Sequence, residues 1–387
     1  MEHVMRTLVV VRSLKMGGME RVAINLADAF AEAGHESHLA SFRPVKTPLR
    51  PAHSDVRQHA LPLMRWSRLT VIGFCLELIA RWLLNPLLKR ALFLGTGIMG
   101  GMVFRAWLWR FEKRHGRVDR IVFRGVGTFE QVWTFRDARA RYVLENIVRA
   151  NKPSFSRWLF ARCLYQGRHL VAVSEGVAKT ARQGMALWRV TPKALEVIPN
   201  PCPVVGIRQA MRERQPEIPA EPYIVNVARM VPAKDHALLL RAYARSGVTL
   251  PLVLVGDGRE RERLEALAGE LGIAQRVIFA GQQENPYPWM HHARLFVLSS
   301  RFEGMGIVLF EALACGTPVL SVDCPGGIRA ILKGPLESSI VAHDEESLAQ
   351  GLSNALSTEP ETIQEAWLDD FKPETIAARF LQTSDTQ

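Results

Sequence analysis

The stretch LFVLSSRFEGMGIVLFEALACGTPVLSVD, Leu295–Asp323, has the pattern of a strand, a loop, a helix and a second strand. Leu295–Leu298 is a short apolar run, typical of a buried strand. Ile307–Ala314 is apolar enough for a well-covered helix, and Cys315-Gly316 is a helix stop signal. Pro318–Val322 is the next apolar run. Strand, helix and strand in this order predict two parallel strands joined by a crossover helix.

The loop and the helix each carry one acid, Glu303 and Glu311. A carboxylate accepts hydrogen bonds from sugar hydroxyls. Glycines let backbone N–H groups approach a ligand, and a helix N-terminus suits a phosphate. A sugar nucleotide has both hydroxyls and a diphosphate. The alternative is that Glu303 is a solvated loop residue and Glu311 only favours the helix start. An almost wholly apolar helix that keeps one acid favours the binding interpretation.

The segment SRFEGMGIVLFEALACGTPVLSVDCPGG, residues 300–327, resembles the donor-site motif of family-4 retaining glycosyltransferases, which is Glu, seven residues, Glu. The resemblance is close over 223–355, recognisable over 5–42 and 169–201, and weak over 43–168. It implies an α/β chain of the GT-B fold, with two Rossmann-like parallel-sheet domains facing a central cleft. Strands that alternate with helices through both halves also predict two parallel α/β layers.

A second glycine-containing loop follows the apolar run Thr7–Val11. Strand, Gly17-Gly18, helix and strand open a dinucleotide-type fold, although the glycines lack the spacing of the dinucleotide fingerprint. Gly17–Arg21 resembles the N-terminal loop of the same family, which lies near the donor phosphates and the acceptor. The alternative is an ordinary tight turn.

Two cations bracket the turn after the strand that begins at Tyr223. In a cleft, Arg229 and Lys234 would neutralise a departing diphosphate. Taken alone, Arg229 and Lys234 would favour the alternative of two ordinary surface residues. The spacing matches the family's Arg-x-x-x-x-Lys element, which holds the donor phosphates.

The resemblance implies a retaining, metal-independent hexosyltransferase that uses a nucleotide-diphosphate sugar, expected to be a UDP-sugar. In this interpretation Arg229 and Lys234 stabilise the leaving diphosphate, and Glu303 lies against the transferred sugar. The expected donor-binding residues are Gly17, Gly18, Arg229, Lys234, Gly256, Glu303, Gly304, Met305, Gly306, Ile307 and Glu311. Many members of the family place a His after a middle strand of the first domain. Here Glu145-Asn146 follows Arg141–Leu144, so either Glu145 or Asn146 takes the place of this His, and Glu145 is the candidate catalytic residue.

Prolines at Pro199, Pro201 and Pro203 mark a boundary between domains. We expect an N-terminal acceptor-binding domain over 1–201, a linker over 202–221 and a C-terminal donor-binding domain over 222–370. A last helix over 371–387 is expected to cross back to the N-terminal domain.

The net charge of +11 is concentrated in the first half. Residues 1–199 hold 32 Lys+Arg and 14 Asp+Glu, which is +18, whereas the remainder holds 17 and 24, which is −7. Val71–Leu84 and Ala91–Phe104 are apolar but shorter than the ~20 residues that cross a bilayer. Because basic and aromatic residues flank both, helices within 63–115 suit a membrane surface. Core helices with solvated basic faces are the alternative.

The expected acceptor is a hydroxyl of a lipid-linked or lipopolysaccharide glycan, reached by a cytoplasmic protein on the anionic inner face of the cytoplasmic membrane. Five scattered cysteines predict no disulfide framework and no zinc site. Two rivals remain. One is a sugar synthase or phosphorylase with a soluble acceptor. The other is a nucleic-acid-binding protein, suggested by a pI near 9.8 but without a recognisable binding module. We expect no nucleic-acid partner.

Overall fold

The computed structural model describes residues 4–88, 92–149, 154–359 and 363–382. The chain divides into two compact units. The first comprises Met1–Pro201 together with Pro373–Gln387, and the second comprises Cys202–Lys372.

The first unit contains a seven-stranded parallel sheet in the order β3-β2-β1-β4-β5-β6-β7. Its strands are β1 Arg6–Ser13, β2 Glu36–Arg43, β3 Arg57–Ala60, β4 Arg120–Arg124, β5 Ala140–Leu144, β6 His169–Ala172 and β7 Ala194–Val197. Its helices along 1–201 are α1 Gly18–Glu32, α2 Leu63–Arg68, α3 Val71–Ile79, α4 Asn85–Leu88, α5 Leu92–His115, α6 Val126–Phe129, α7 Phe155–Tyr165 and α8 Glu175–Leu187. A π-helix, Ala80–Leu84, continues α3, and a 3-10 turn, Glu130–Val132, follows α6.

The second unit contains a six-stranded parallel sheet in the order β10-β9-β8-β11-β12-β13. Its strands are β8 Ile224–Val227, β9 Leu252–Val255, β10 Val277–Gly281, β11 Leu295–Leu298, β12 Val319–Val322 and β13 Ile340–Val341. Its helices are α9 Val204–Ala210, α10 His236–Arg245, α11 Arg261–Glu270, α12 Tyr287–His291, α13 Ile307–Ala314, α14 Ile328–Ile331 and α15 Glu345–Ser357. Short 3-10 turns are Pro232–Lys234, Ala274–Arg276, Gly334–Ser339, Glu365–Trp367 and Asp369–Phe371.

The central strands of both sheets are buried along their whole length, as in β4, β9 and β11. Helices cover both faces of a parallel sheet, so its strands read as continuous apolar runs. The predicted strand–helix–strand unit is confirmed, because β11 pairs with β12 in parallel and α13 lies between them in sequence.

The order of the two units along the chain is not a simple succession of domain, linker and domain, and two segments show this. Residues 202–221, predicted as a linker, include helix α9, which packs against α13 inside the second unit. The last helix, α16 Pro373–Gln382, packs against α1 inside the first unit. The rings of Phe30 and Phe380 meet edge to face, with centroids 6.4 Å apart. Residues 383–387 lie outside the described part.

Helix α5 is longer than its apolar sequence predicts. The uncharged run ends at Phe104, yet the helix continues through a basic half to His115 and has 24 residues. Among the described residues it is the one helix whose length and apolar content are sufficient to cross a bilayer, and 44% of its most apolar window is buried in the protein. A Cβ at Gly101 would lie 2.0 Å from Thr134 Oγ1, so glycine lets α5 pack closely on the segment after α6. Lys89 and Arg90, which the membrane-surface prediction also used, lie outside the described residues.

Candidate active site

The loops after β8, β9 and β11 carry most of the predicted site residues, and the loop after β12 packs against the loop after β11. They follow the carboxyl ends of parallel strands, where open α/β sheets bind ligands. Gly256 has φ 138°, and a Cβ there would lie 2.1 Å from the Ala228 carbonyl oxygen. Gly326 has φ 130°, and a Cβ there would lie 1.6 Å from the Glu303 carbonyl oxygen. Glycine at these two positions lets the loops pack against one another, so Gly256 lies beside the loop that carries Arg229.

Lys234 and Glu303, far apart in sequence, form an ion pair. Lys234 Nζ lies 2.5 Å from Glu303 Oε1, and Ser300 Oγ donates to the same oxygen at 2.6 Å. The Glu303 side chain is 10% exposed and that of Lys234 is 23% exposed. A buried carboxylate needs such partners to remain charged. Burial, together with the negative charge of Glu303, raises the pKa of the Cys324 thiol to about 12.

Arg229 lies in the loop after β8 and is exposed. No ion pair to its guanidinium forms within the described ranges 4–88, 92–149, 154–359 and 363–382. An anion can therefore bind this cation without breaking an internal contact. The donor chemistry of Arg suits phosphate oxygens.

The backbone that carries Lys234 is held on both sides. Asp235 has φ 46°, in the left-handed region that few non-glycine residues adopt. Arg301 donates from Nε and Nη2 to the two Asp235 carboxylate oxygens, at 2.8 and 3.2 Å. Ser299 Oγ donates to the Lys234 carbonyl oxygen at 3.0 Å. Sequence reasoning missed these three supporting residues. The only available signal was an acid just before a helix, but Asp235 makes no side-chain cap hydrogen bond.

Gly304, Met305 and Gly306 are buried in the loop that leads into α13. Gly306 has φ 80° and is the residue before the helix, which begins at Ile307. Glu311 is in the second turn, where Tyr287 Oη of α12 donates to its Oε1 at 3.3 Å. The two acids of the motif therefore have separate surroundings, Glu303 beside Lys234 and Ser300, and Glu311 beside Tyr287.

In the first unit, Gly17 and Gly18 lie at the start of α1. Gly17 has extended backbone, φ 177°, that any residue adopts. A Cβ built on it would lie 2.5 Å from Glu20 Oε2, whereas a Cβ on Gly18 would meet no atom within 4 Å. The space beside Gly18 is therefore open to a ligand.

Glu145 follows β5, and its side chain is only 8% exposed. Arg124, at the end of β4, lies with Nη2 2.7 Å from Glu145 Oε1 and donates from Nη2 to Asn200 Oδ1 at 2.6 Å. Burial raises the pKa of Glu145, and the charge of Arg124 opposes that rise. Arg124 and Asn200 were not predicted. The sequence signal was an arginine at the end of a buried strand with the apolar interior Ile121–Phe123.

The described residues contain no group of three or more His, Cys, Asp or Glu side chains placed to hold a metal ion.

Residues 207–366 match the family described as Glycosyl transferases group 1. This match covers most of the second unit, and the predicted resemblance to glycosyltransferases is confirmed.

Two curated relatives share 34% identity with this chain. The first is the N-acetylgalactosamine-N,N'-diacetylbacillosaminyl-diphospho-undecaprenol 4-alpha-N-acetylgalactosaminyltransferase of Campylobacter jejuni, matched over 48% of this chain and 50% of that protein. The second is the lipopolysaccharide core biosynthesis glycosyltransferase LpsE of Rhizobium meliloti, matched over 43% of this chain and 51% of that protein. The chain thus spans about half the length of these relatives.

The solved structures resemble nearly the whole chain. Anabaena HepE in complex with UDP and glucose aligns with a TM-score of 0.69 at 19% identity, over 99% of this chain and 100% of that one. The lipopolysaccharide outer core galactosyltransferase WaaB aligns with a TM-score of 0.64 at 19% identity, over 97% and 98%. At this identity the likeness shows the fold, and the GT-B prediction is confirmed.

Proposed function

We propose that this protein transfers a hexose-type sugar from a nucleoside-diphosphate donor, a UDP-sugar, to a hydroxyl of a lipid-linked or lipopolysaccharide glycan. The observation that carries the proposal is the Lys234–Glu303 ion pair, formed by the segments that follow the carboxyl ends of β8 and β11, with the exposed Arg229 in the same segment as Lys234. Two cations in one segment after a strand suit a diphosphate, and an acid paired with one of them suits sugar hydroxyls.

The proposed reaction breaks the bond between the sugar anomeric carbon and the diphosphate oxygen. Arg229 and Lys234 stabilise the negative charge that develops on this oxygen as it leaves. The acceptor hydroxyl oxygen bonds to the same anomeric carbon, and its proton passes to the departing phosphate. The configuration is retained, as the family resemblance implies, and the two cations make a bound metal unnecessary.

The proposed donor and acceptor classes rest on the similar proteins. The HepE structure contains UDP and glucose, which supports a UDP-sugar donor. The name of the Campylobacter jejuni relative contains a diphospho-undecaprenol-linked sugar as acceptor, and the name of the Rhizobium meliloti relative contains lipopolysaccharide core biosynthesis, which supports an acceptor of these classes.

The donor site is tested by thermal unfolding with UDP, GDP, ADP and CMP, on wild type, Glu311→Ala and Glu262→Ala. Glu262 is an exposed acid on α11 and serves as the matched control. A nucleotide at 100 times its Kd stabilises the folded protein by about 2.7 kcal/mol. We expect UDP to raise the Tm of wild type and the control, and this rise to be lost in Glu311→Ala. If no nucleotide shifts the Tm of wild type, the proposed donor site is wrong.

Transfer is tested with radiolabelled UDP-sugars and a bacterial membrane extract, with and without EDTA. We expect label in the lipid fraction at equal rates in both conditions. Loss of transfer in EDTA, restored by a divalent cation, would refute the metal-independent part. Label that appears only in water-soluble glycans would refute the proposed acceptor class.

A further inference from the structure

In the helical segment formed by α3 and the π-helix after it, small or polar residues are buried and large apolar residues are exposed. Its buried positions within 71–84 are Gly73, Glu77 and Ala80, which recur at the spacing of one helix face. Globular helices normally bury the large apolar side chains on such a face. Here the buried face holds a glycine, an alanine and an acid.

The opposite side carries large apolar residues in solvent. Val71 is 80% exposed and Trp82 is 75% exposed. We call this surface the apolar face, and its members are Val71, Ile72, Phe74, Leu78, Ile79, Trp82 and Leu83. A contiguous exposed apolar surface on a soluble unit marks a membrane or protein contact.

Specific contacts hold the segment in this orientation. Arg68 of α2 donates from Nε and Nη2 to the two Glu77 carboxylate oxygens, both at 2.6 Å. On the side toward α5, a Cβ at Gly95 would lie 2.4 Å from the Leu76 carbonyl oxygen, so the two backbones are in close contact. Turning the helix to bury Ile72 and Phe74 would break the ion pair and this packing. The exposure of the apolar face is therefore fixed by contacts within the unit.

The surroundings of the apolar face are basic. Between Asp55 and Glu112 the sequence contains eight Lys and Arg residues and one acid, Glu77, which is paired as described. Arg65 and Arg105, on the neighbouring helices α2 and α5, are exposed. A second copy of the chain docked on this face would bring the same positive charges together. Anionic lipid headgroups complement them.

We propose that the apolar face inserts into the interfacial layer of an anionic bilayer, with Arg65 and Arg105 at the headgroups. Helices that combine apolar and basic sides bind in this layer by buried apolar area and by attraction to anionic lipids. In this arrangement α5 stays packed in the protein and does not cross the membrane. The proposal does not depend on transferase activity, so vesicle binding and glycosyl transfer succeed or fail separately.

The chain provides its own reporter position. Cys75 lies within α3 and is exposed, whereas Cys163, Cys202, Cys315 and Cys324 are buried. An environment-sensitive fluorophore attached through a maleimide therefore labels Cys75 in the full-length protein. Vesicles of phosphatidylcholine alone, and of phosphatidylcholine with phosphatidylglycerol, are added without any nucleotide. We expect blue-shifted emission and quenching by lipids with spin labels near the headgroup, stronger with the anionic vesicles.

Unlabelled variants separate the two contributions in a flotation assay. Ile72→Ser/Phe74→Ser/Trp82→Ser should weaken partition into both vesicle types by about 100-fold, because three large apolar side chains are lost. Arg65→Gln/Arg105→Gln should weaken partition into anionic vesicles by about tenfold and leave neutral vesicles unaffected. The matched control, Leu187→Ser/Val205→Ser/Ile278→Ser, removes three exposed apolar side chains elsewhere and should bind like wild type.

Two results would overturn the proposal. One is wild type that fails to float with anionic vesicles at low salt. The other is a control variant that loses as much binding as the apolar-face variant. Concentration-dependent dimerisation that the apolar-face variant abolishes, with no vesicle binding, would assign the surface to a second copy instead. Circular dichroism of every variant checks that the helices remain folded.

Discussion

Each unit buries an acid beside a cation at the carboxyl end of its sheet, and the two pairs differ in the exposure of the cation. In the second unit the Lys234 side chain is 23% exposed beside Glu303. In the first unit Arg124 is fully buried beside Glu145. A cation with access to solvent can bind an incoming anion, whereas an enclosed one serves its internal partners. The comparison supports a ligand-binding role for Lys234 and a structural role for Arg124, which in turn holds Glu145 in place.

The largest effect is expected from Arg124→Ala. Removing one partner of a buried ion pair leaves an uncompensated charge and costs about 3–5 kcal/mol. Denaturant unfolding of the full chain should show this loss. The control is Arg182→Ala, which removes an exposed partner of Glu175 and should change the free energy of unfolding by less than about 1 kcal/mol. If both variants lost the same free energy of unfolding, the burial of a cation would not determine how much it contributes to stability.

Lys234→Ala should act mainly on the reaction. Loss of one preorganised group that stabilises developing negative charge lowers kcat by about 100- to 1000-fold. Water can reach the partly exposed Lys234 position, and Ser300 still donates to Glu303, so the free energy of unfolding should fall by less than in Arg124→Ala. Sugar transfer and denaturant unfolding are measured on the same preparation, beside Lys333→Ala, an exposed lysine paired with Asp370. Lys234→Ala with wild-type kcat would contradict the role proposed for the pair.

A smaller effect is expected from two histidines, one in each unit. Burial, then the charges of His38, His115 and Arg57, lowers the pKa of His59 to about 4. Burial, then the charge of Lys234, lowers the pKa of His236 to about 4. Both have an ordinary pKa of 6.5, so the unfolded chain binds more protons between pH 6.5 and about 4.

Stability from these histidines is therefore complete above pH 6.5 and falls as the pH is lowered toward 4. We expect the buried His236 to contribute about 2 kcal/mol of this loss by pH 5, and the partly exposed His59 less. Unfolding at pH 7.5 and 5 compares wild type with His59→Asn, His236→Asn and the exposed His292→Asn. The first two variants should lose less stability on acidification than His292→Asn. The same pH dependence in all four proteins would show that other groups control acid stability.

Sequence reasoning predicted the fold because local patterns carry that information. The apolar runs and glycines of 295–323 specify a strand, a loop and a helix without reference to the rest of the chain. Loops after parallel strands share one edge of the sheet, so Lys234 and Glu303 were expected on the same side. Their direct contact is visible only in the folded chain.

The supporting contacts were not predictable in the same way. Arg124 meets Asn200 across 76 residues, and Arg301 meets Asp235 across 66, so only the folded chain brings them together. The orientation of α3 could not be predicted from the sequence either. Its sequence shows apolar residues interrupted by Glu77, and periodicity does not reveal which side faces the protein when the buried side is small or polar.

Helix α16 has a consequence for the order in which this chain is made. Ile376, Ala377 and Phe380 are buried within the first unit, although the ribosome reaches them after the whole second unit. Domains usually fold in the order of synthesis. Here the second unit can finish folding before α16 has been synthesised. Until then the surface of α1 around Phe30 in the first unit remains uncovered. The nascent protein therefore passes through a stage in which its earliest segment is the last to be completed.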